Sequence, residues 1–217
     1  MRDGTVRQRR KAMLDLPHVA RLTVYVAELR HHGSPQEVPD FDPLDGGVDA
    51  RALFLFEKPC PMTVKSGFIS RNNDDATAEA TFDFMEKAGI PRKLTVIWNV
   101  IPWWNGTRKV TRPELHQGVA CVQELAKLLP RLCTVGMVGR NAARAMQHLE
   151  RLNLVLIESY HPSPVVRATS RAKWDTIPFE WAKVMTTIES GIANGLREND
   201  PDKLISGVGV ASGRQFE

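Results

Sequence analysis

Short apolar runs alternate with longer mixed segments from residue 52 onward. Four of these runs, bounded by turn residues or charges, predict buried strands at 52–57, 93–104, 132–139 and 154–159. Five longer segments predict helices, from apolar spacing or from end signals, at 18–32, 74–89, 112–130, 140–152 and 177–195. Because strands and helices alternate, we expect a single three-layer α/β/α domain around a central, mainly parallel four-stranded sheet.

The flanking segments differ in composition from this alternating region. Residues 1–17 are basic and are predicted to form a poorly packed lead-in, whereas residues 201–217 are predicted to be a loose tail. Residues 33–47 combine Pro, Gly and acidic side chains and are predicted to be a loop. The predicted domain therefore covers residues 18–200.

Composition narrows the class of protein without identifying its partner. The 217 residues are 42% hydrophobic and 25% charged, which suits one water-soluble domain. No apolar stretch is long enough to span a membrane, and the N-terminal segment lacks the apolar run of a signal peptide, so a cytoplasmic location without membrane contact is expected. The net charge of +4 is a mild bias towards polyanionic partners.

The three cysteines are an odd count without paired short spacing. Cys60, Cys121 and Cys133 favour neither a disulfide framework nor a four-thiolate cluster. No metal site is expected.

Ligands of parallel α/β sheets bind at the carboxyl ends of the strands. Four stretches follow predicted strands and are expected to share one edge of the sheet: Glu57 to Pro61, Asn99 to Trp104, Gly139 with Arg140, and His161 to Pro164.

Each stretch permits a structural and a functional interpretation. Glu57 and Lys58, beside two prolines that stiffen the chain, suit either the positioning of water or a surface ion pair in a turn. Asn99 can donate and accept, as reading a base edge requires, or can cap a turn. His161, held between a strand and two prolines, can stabilise a developing anion or be purely structural.

Three tryptophans surround Asn99 in the sequence. Trp98, Trp103 and Trp104 can stack on bases or belong to the core.

The order of five motifs along residues 50–190 resembles the uracil-DNA glycosylase superfamily. These motifs are "FEKPC", "GF", "WNVIPWW", "VGMVGRNAARAM" and "HPSP". The resemblance implies a monofunctional glycosylase that hydrolyses the N-glycosidic bond of a flipped damaged base in DNA, uracil before others. It also implies a monomer without a cofactor.

The resemblance also implies roles for individual residues. His161 would stabilise negative charge on the departing base, Asn99 would pair with the base edge, and Glu57 would handle water or stabilise a cationic sugar. Phe68 would stack on the base, with Pro59 beside it. Six residues would contact DNA: Lys58, Arg140, Pro162, Ser163, Pro164 and Val165, the last as a wedge beside the flipped base.

The chain departs from the family pattern in its first motif. Phe56 and Cys60 replace glycines of the branch that reads G-E-x-P-G, and Lys58 stands where another branch has its catalytic aspartate. The iron–sulfur cysteines of the first branch are absent, so no cluster is expected. Lys58 is expected either to contact phosphate or to pair with Glu57.

These departures leave three alternatives open. One is a DNA-binding member of the same fold without catalysis, and a second is a glycosylase for hypoxanthine or xanthine. The third is an unrelated doubly wound protein that binds a nucleotide or sugar phosphate, although neither G-x-G-x-x-G nor a P-loop occurs.

Overall fold

The computed structural model describes residues 1–32 and 37–198. The predicted tail at 201–217 lies outside the described residues. Within the described ranges the strands are β1 (Asp40–Phe41), β2 (Ala52–Phe56), β3 (Phe68–Ile69), β4 (Thr95–Asn99), β5 (Thr134–Val138) and β6 (Val155–Ser159). The α-helices are α1 (Gly4–Lys11), α2 (Pro17–His32), α3 (Pro61–Ser66), α4 (Ala76–Lys87), α5 (Arg112–Lys127), α6 (Arg140–Ala143), α7 (Met146–Leu149), α8 (Pro164–Thr169) and α9 (Arg171–Glu198).

The central sheet contains four parallel strands in the order β4-β2-β5-β6. The predicted fold class is therefore confirmed. β2 is buried along its first four residues, and β4 and β5 are buried throughout, as expected for strands covered on both faces. The register pairs Phe56 with Asn99 and Val138 with Ser159, so the strands end together and the segments that follow them meet at one edge.

Helices pack on both faces of the sheet. On one face, the Trp181 ring of α9 contacts the rings of Phe54 and Phe84, with centroids 5.0 and 6.1 Å away. Because strand side chains alternate between faces, Leu55 and its β4 neighbour Trp98 point to the other layer, where Trp98 stacks on Phe41. At Gly118, α5 packs closely against the chain that follows β4, since an added Cβ would lie only 2.4 Å from the Val100 carbonyl oxygen.

Several helical segments differ from the predictions. The segment 140–152 is divided into α6, α7 and a 3₁₀ turn, and the last helix begins at Arg171 rather than at 177. α3 and α8 were not predicted, although each begins with a proline at its first position, as helices commonly do. Asp75 caps α4, accepting hydrogen bonds from the Thr77 and Ala78 amides.

The predicted loop 33–47 contains an unexpected strand in its described part. β1 pairs with β3 in a separate two-stranded parallel sheet, with Asp40 opposite Phe68. Two-residue strands carry too little periodicity to be recognised in the sequence.

The expectation that residues 1–17 are poorly packed fails at Arg10, although most residues of the segment are exposed. Asp3 caps α1 by accepting from the Thr5 amide, and Arg10 is only 8% exposed. The Arg10 guanidinium donates to the Asp42 carboxylate and to Asn72 Oδ1, the latter at 3.0 Å. A buried ion pair therefore fixes the lead-in to the domain, while the division at residues 17 and 200 stays a prediction.

Asp42 is the centre of this buried network. Its carboxylate, with a fully buried side chain, accepts hydrogen bonds from Arg10, from Arg92 at 2.6 Å and from the Ser70 hydroxyl. Arg92 also pairs with Asp45 at 2.8 Å. The network links α1 to the segment that follows β3.

We expect Asp42→Ala to lower the free energy of unfolding by about 3–5 kcal/mol, because it leaves the buried guanidinium group of Arg10 without a counter-charge, while Arg92 keeps only Asp45. Urea unfolding followed by circular dichroism measures this loss. The matched control is Asp49→Ala, whose carboxylate is 56% exposed and lies 3.5 Å from Arg131. Its loss should stay below about 1 kcal/mol, and equal losses in the two variants would contradict the assigned network.

None of the described helices combines the length and the apolar character that crossing a bilayer requires.

Candidate functional site

A cavity of about 570 Å³ opens at the carboxyl edge of the central sheet. Its walls come from the segments after β2, β3 and β4 and from the turn after β6. Eight of the residues predicted from the sequence line it: Glu57, Lys58, Pro59, Asn99, His161, Ser163, Pro164 and Val165. A second groove of about 710 Å³, beside α5 and α7, contains none of the predicted residues.

Three of the predicted residues do not line the cavity. Phe68 belongs to β3 and its side chain is fully buried, so a base cannot reach its ring in this conformation. Pro162 is also buried, and Arg140 is exposed at the start of α6. The DNA contacts expected of Pro162 and Arg140 stay predictions from the family resemblance.

Aromatic surface is supplied instead by two residues whose positions the sequence did not resolve. Phe56 ends β2 and lines the cavity, with its ring perpendicular to the His161 imidazole at 5.5 Å. Trp104 also lines the cavity, whereas Trp98 and Trp103 are buried in the core. Phe56 stands at the end of a strand, a position from which a cavity wall could have been predicted. The family motif has a glycine there, so the resemblance did not suggest an aromatic side chain.

Asn99 ends β4 and presents an unpaired amide to the cavity. The residue is only 4% exposed, and its side chain makes no hydrogen bond within the described part of the chain. The amide atoms are open to the cavity and not enclosed by protein, so their donor and acceptor are free for a ligand. Such a group at a cavity wall is typical of a site that pairs with a ligand.

His161 is held in place by the backbone beside it. Gly139, with φ of +89°, follows β5, and a Cβ added there would lie 3.0 Å from the His161 Cβ. Most side chains disfavour this backbone region, so glycine both turns the chain and leaves room for the histidine.

The environment of His161 favours the neutral imidazole. Burial, together with the charge of Arg108, lowers the pKa of His161 from 6.5 to about 4, whereas the charge of Asp75 opposes the shift. A neutral imidazole donates a hydrogen bond from one nitrogen and accepts at the other.

We expect the imidazole proton resonances of His161 to titrate near pH 4 in an NMR experiment. Because this pKa lies below the ordinary value of 6.5, the unfolded chain binds more protons between pH 6.5 and pH 4. The neutral histidine therefore stabilises the fold above this window, and that contribution is lost as the pH falls through it. A titration midpoint near 6.5 would contradict the burial argument.

Glu57 is oriented by the helix that follows β5. Its Oε2 accepts a hydrogen bond from Asn141 Nδ2 at 2.9 Å, and its backbone oxygen accepts from the Ile101 amide at 3.0 Å. Asn141 was not predicted, since its contact crosses 84 positions of sequence. The carboxylate lines the cavity with one oxygen committed to Asn141.

Lys58 pairs with a carboxylate other than the one expected. Its Nζ donates to Glu114 Oε1 at 2.8 Å and to Asn105 Oδ1 at 2.7 Å, and its side chain is 4% exposed. The pairing of Lys58 with Glu57 is therefore wrong. The phosphate contact of Lys58 stays a prediction from the family resemblance, although its ammonium group already donates to protein acceptors.

The "HPSP" turn leads directly into α8. Ser163 Oγ caps this helix by accepting from the Val166 amide at 3.3 Å, and Pro164 occupies the first helical position. Val165 is 68% exposed and stands at the cavity rim. The turn thus fixes His161 on one side and an exposed apolar side chain on the other.

The cysteines do not fit an iron–sulfur cluster. Cys60 precedes α3, Cys121 belongs to α5 and Cys133 precedes β5, and each thiol is free. Nor does the described part of the chain contain a group of three or more His, Cys, Asp or Glu side chains placed to hold a metal ion.

Comparison with known families gives one match. A family model described as the uracil DNA glycosylase superfamily matches residues 68–183, just over half of the chain. The matched range includes Asn99 and the turn from His161 to Val165, whereas Glu57 and Lys58 precede it. No curated protein matches the chain.

Proposed function

Because the chain belongs to the uracil-DNA glycosylase superfamily, we propose that it is a monofunctional DNA glycosylase that releases a damaged base, uracil before others, by hydrolysing the N-glycosidic bond. One observation carries this proposal. The Asn99 amide, which makes no hydrogen bond within the described chain, and the neutral imidazole of His161 both line the same cavity. Monomeric state and cytoplasmic location stay predictions from the sequence.

Recognition begins with flipping of the target nucleotide, because the bond to be cleaved is inaccessible inside a duplex. The base enters the cavity between the aromatic side chains of Phe56 and Trp104. Asn99 pairs with the N–H and C=O groups at the edge of uracil. Cytosine presents a different pattern of donors and acceptors, so its entry leaves buried groups unpaired.

His161 acts on the departing base. As the glycosidic bond breaks, its electron pair moves to the base, and negative charge spreads to the carbonyl oxygens. The neutral imidazole donates its N–H to one of these oxygens and stabilises the anion as it forms. In its neutral form the imidazole stabilises the anion by a hydrogen bond from one ring nitrogen, without adding a full positive charge to the cavity.

Glu57 acts on the sugar side of the reaction. With Oε2 held by Asn141, the other oxygen is available to orient the attacking water or to stabilise positive charge on the sugar. Water then supplies the hydroxyl group at the anomeric carbon, and the base leaves with its electron pair and gains a proton.

The rim of the cavity engages the DNA. Val165 fills the gap that the flipped base leaves in the stack, a role supported by its exposed side chain at the rim. The Ser163 hydroxyl accepts a hydrogen bond from the α8 backbone, and its own proton remains available for a phosphate oxygen.

The assay uses single- and double-stranded oligonucleotides that carry uracil, hypoxanthine or xanthine, followed by alkaline cleavage of abasic sites. Strand scission on the uracil substrate is expected. Scission on hypoxanthine or xanthine alone would move the substrate to a deaminated purine, and no scission on any substrate would remove the glycosylase proposal.

A second candidate function is DNA binding without catalysis. It is favoured by Lys58, which stands where another branch of the family has its acid and is already paired with Glu114. This alternative predicts salt-dependent binding of oligonucleotides without release of any base.

A further inference from the structure

The loop at 105–111, between β4 and α5, carries an uncompensated cation to the cavity. Residues 105–109 of this loop are exposed. Arg108 lines the cavity, and within the described part of the chain its guanidinium has neither an ion pair nor a side-chain hydrogen bond. Its charge reaches His161 across the cavity, where it helps to lower the pKa of that histidine.

Lys58 ties this loop to the first turn of α5. Besides its bonds to Glu114 and Asn105, its Nζ lies 3.4 Å from the Lys109 carbonyl oxygen. Asn105 Nδ2 in turn donates to Glu114 Oε1 at 2.7 Å. Asn105 at the start of the loop and Lys109 towards its end therefore both contact the buried ammonium group of Lys58.

Glu114 completes the network from the helix side. Its Oε2 accepts from the Thr111 amide at 2.9 Å, while the Thr111 hydroxyl accepts from the Glu114 amide, which forms a capping box. The Lys58 and Glu114 side chains are 4% and 14% exposed. An ion pair shielded from water to this degree holds its geometry more firmly than an exposed one.

We propose that Lys58 is a positioning residue, which fixes the loop so that Arg108 binds a phosphate of the target DNA strand at the mouth of the cavity. The inference rests on the proposed function, since a base drawn into the cavity leaves its own phosphates at the mouth. A guanidinium is always charged and offers paired donors that match phosphate oxygens. Lys58 thus serves DNA binding through Arg108 rather than through its own ammonium group.

The experiment measures equilibrium binding of an oligonucleotide that carries uracil on an uncleavable 2′-fluorinated sugar as a function of salt concentration, so that the base can enter the cavity and the readout does not require catalysis. Arg108→Gln is expected to weaken binding on the order of tenfold at low salt and to reduce the salt slope by about one. The matched control is Arg131→Gln, an exposed arginine that precedes β5 at the opposite edge of the sheet. This control should bind with the wild-type slope.

Lys58 is tested through Arg108 in the same assay. Lys58→Met should reproduce the reduced slope, and Lys58→Arg, which can still donate to Glu114, should restore most of it. The double variant K58M/R108Q should bind no more weakly than R108Q alone, since Lys58 acts through Arg108. A melting temperature for each variant separates these effects from loss of the fold.

The outcomes distinguish this inference from the proposed function. If base release continues and Arg108→Gln keeps the wild-type slope, the inference is overturned and the glycosylase proposal stands. If the wild type binds DNA without releasing a base and Arg108→Gln loses one phosphate contact, the inference stands and the glycosylase proposal falls. Additive effects of K58M and R108Q would overturn the positioning role of Lys58.

Discussion

His161→Ala is expected to lower kcat for release of uracil by about 10²–10³-fold, the effect of removing one donor from a developing anion. KM should change far less, because this hydrogen bond strengthens as the bond to the base breaks. The histidine lies on a fixed turn and is neutral at working pH, so its donor is in place before the reaction begins. Single-turnover kinetics on a uracil oligonucleotide measures the chemical step directly.

Two controls accompany the His161 variant. His116→Ala removes an exposed histidine that lies on α5 and does not line the cavity, and it should keep the wild-type rate. Thermal unfolding of His161→Ala tests whether the fold survives the change. A rate within threefold of the wild type in a folded His161→Ala variant would refute the role given to this residue.

The second large effect is expected at Asn99. Asn99→Ala should lower kcat/KM for uracil on the order of 10²–10³-fold, because the N–H and C=O groups of the bound base lose their partner in a site shielded from water. Asn99→Asp keeps the shape but replaces the donating –NH₂ group by an acceptor. This variant should lose at least as much activity at neutral pH, because its carboxylate oxygen faces the carbonyl oxygen of uracil.

The matched control for Asn99 is an amide on the surface. Gln117 is exposed on α5 and does not line the cavity, and Gln117→Ala should leave kcat/KM unchanged. A kcat/KM for uracil within threefold of the wild type in both Asn99→Ala and Asn99→Asp, with cytosine still rejected, would mean that Asn99 does not read the base edge. That result would leave membership of the superfamily untouched.

The amino-acid sequence by itself determined the sheet and the place of the candidate site. Apolar runs long enough for buried strands alternate with helices, and this alternation leaves few arrangements other than a parallel sheet. In a parallel sheet the residues after the strands meet at one edge. Strand order along the chain was therefore enough to predict that Glu57, Asn99 and His161 share one site, and all three line the cavity. Local pattern was enough because these positions depend on strand direction alone.

Other features depended on contacts between residues distant in sequence. The family resemblance predicted that the Phe68 ring stacks on the base. Phe68 lies in β3, which pairs with β1, and its side chain is completely buried. The basic lead-in looked loose, yet Arg10 reaches the buried carboxylate of Asp42. Neither feature can be recognised from neighbouring residues. A two-residue strand such as β3 shows no hydrophobic periodicity, and the sequence around Arg10 does not indicate which carboxylate it contacts.

The partner of Lys58 was decided only by the tertiary structure. Because Lys58 follows Glu57 in the sequence, an ion pair between the two was one prediction. The Lys58 ammonium group instead donates to Glu114, which is 56 positions away. Adjacent side chains at the end of a strand point in different directions, whereas the fold brings the first turn of α5 beside the strand end. The sequence therefore determined which chemical groups stand at the edge of the sheet, and packing over long chain separations decided which of them remain free to meet a substrate.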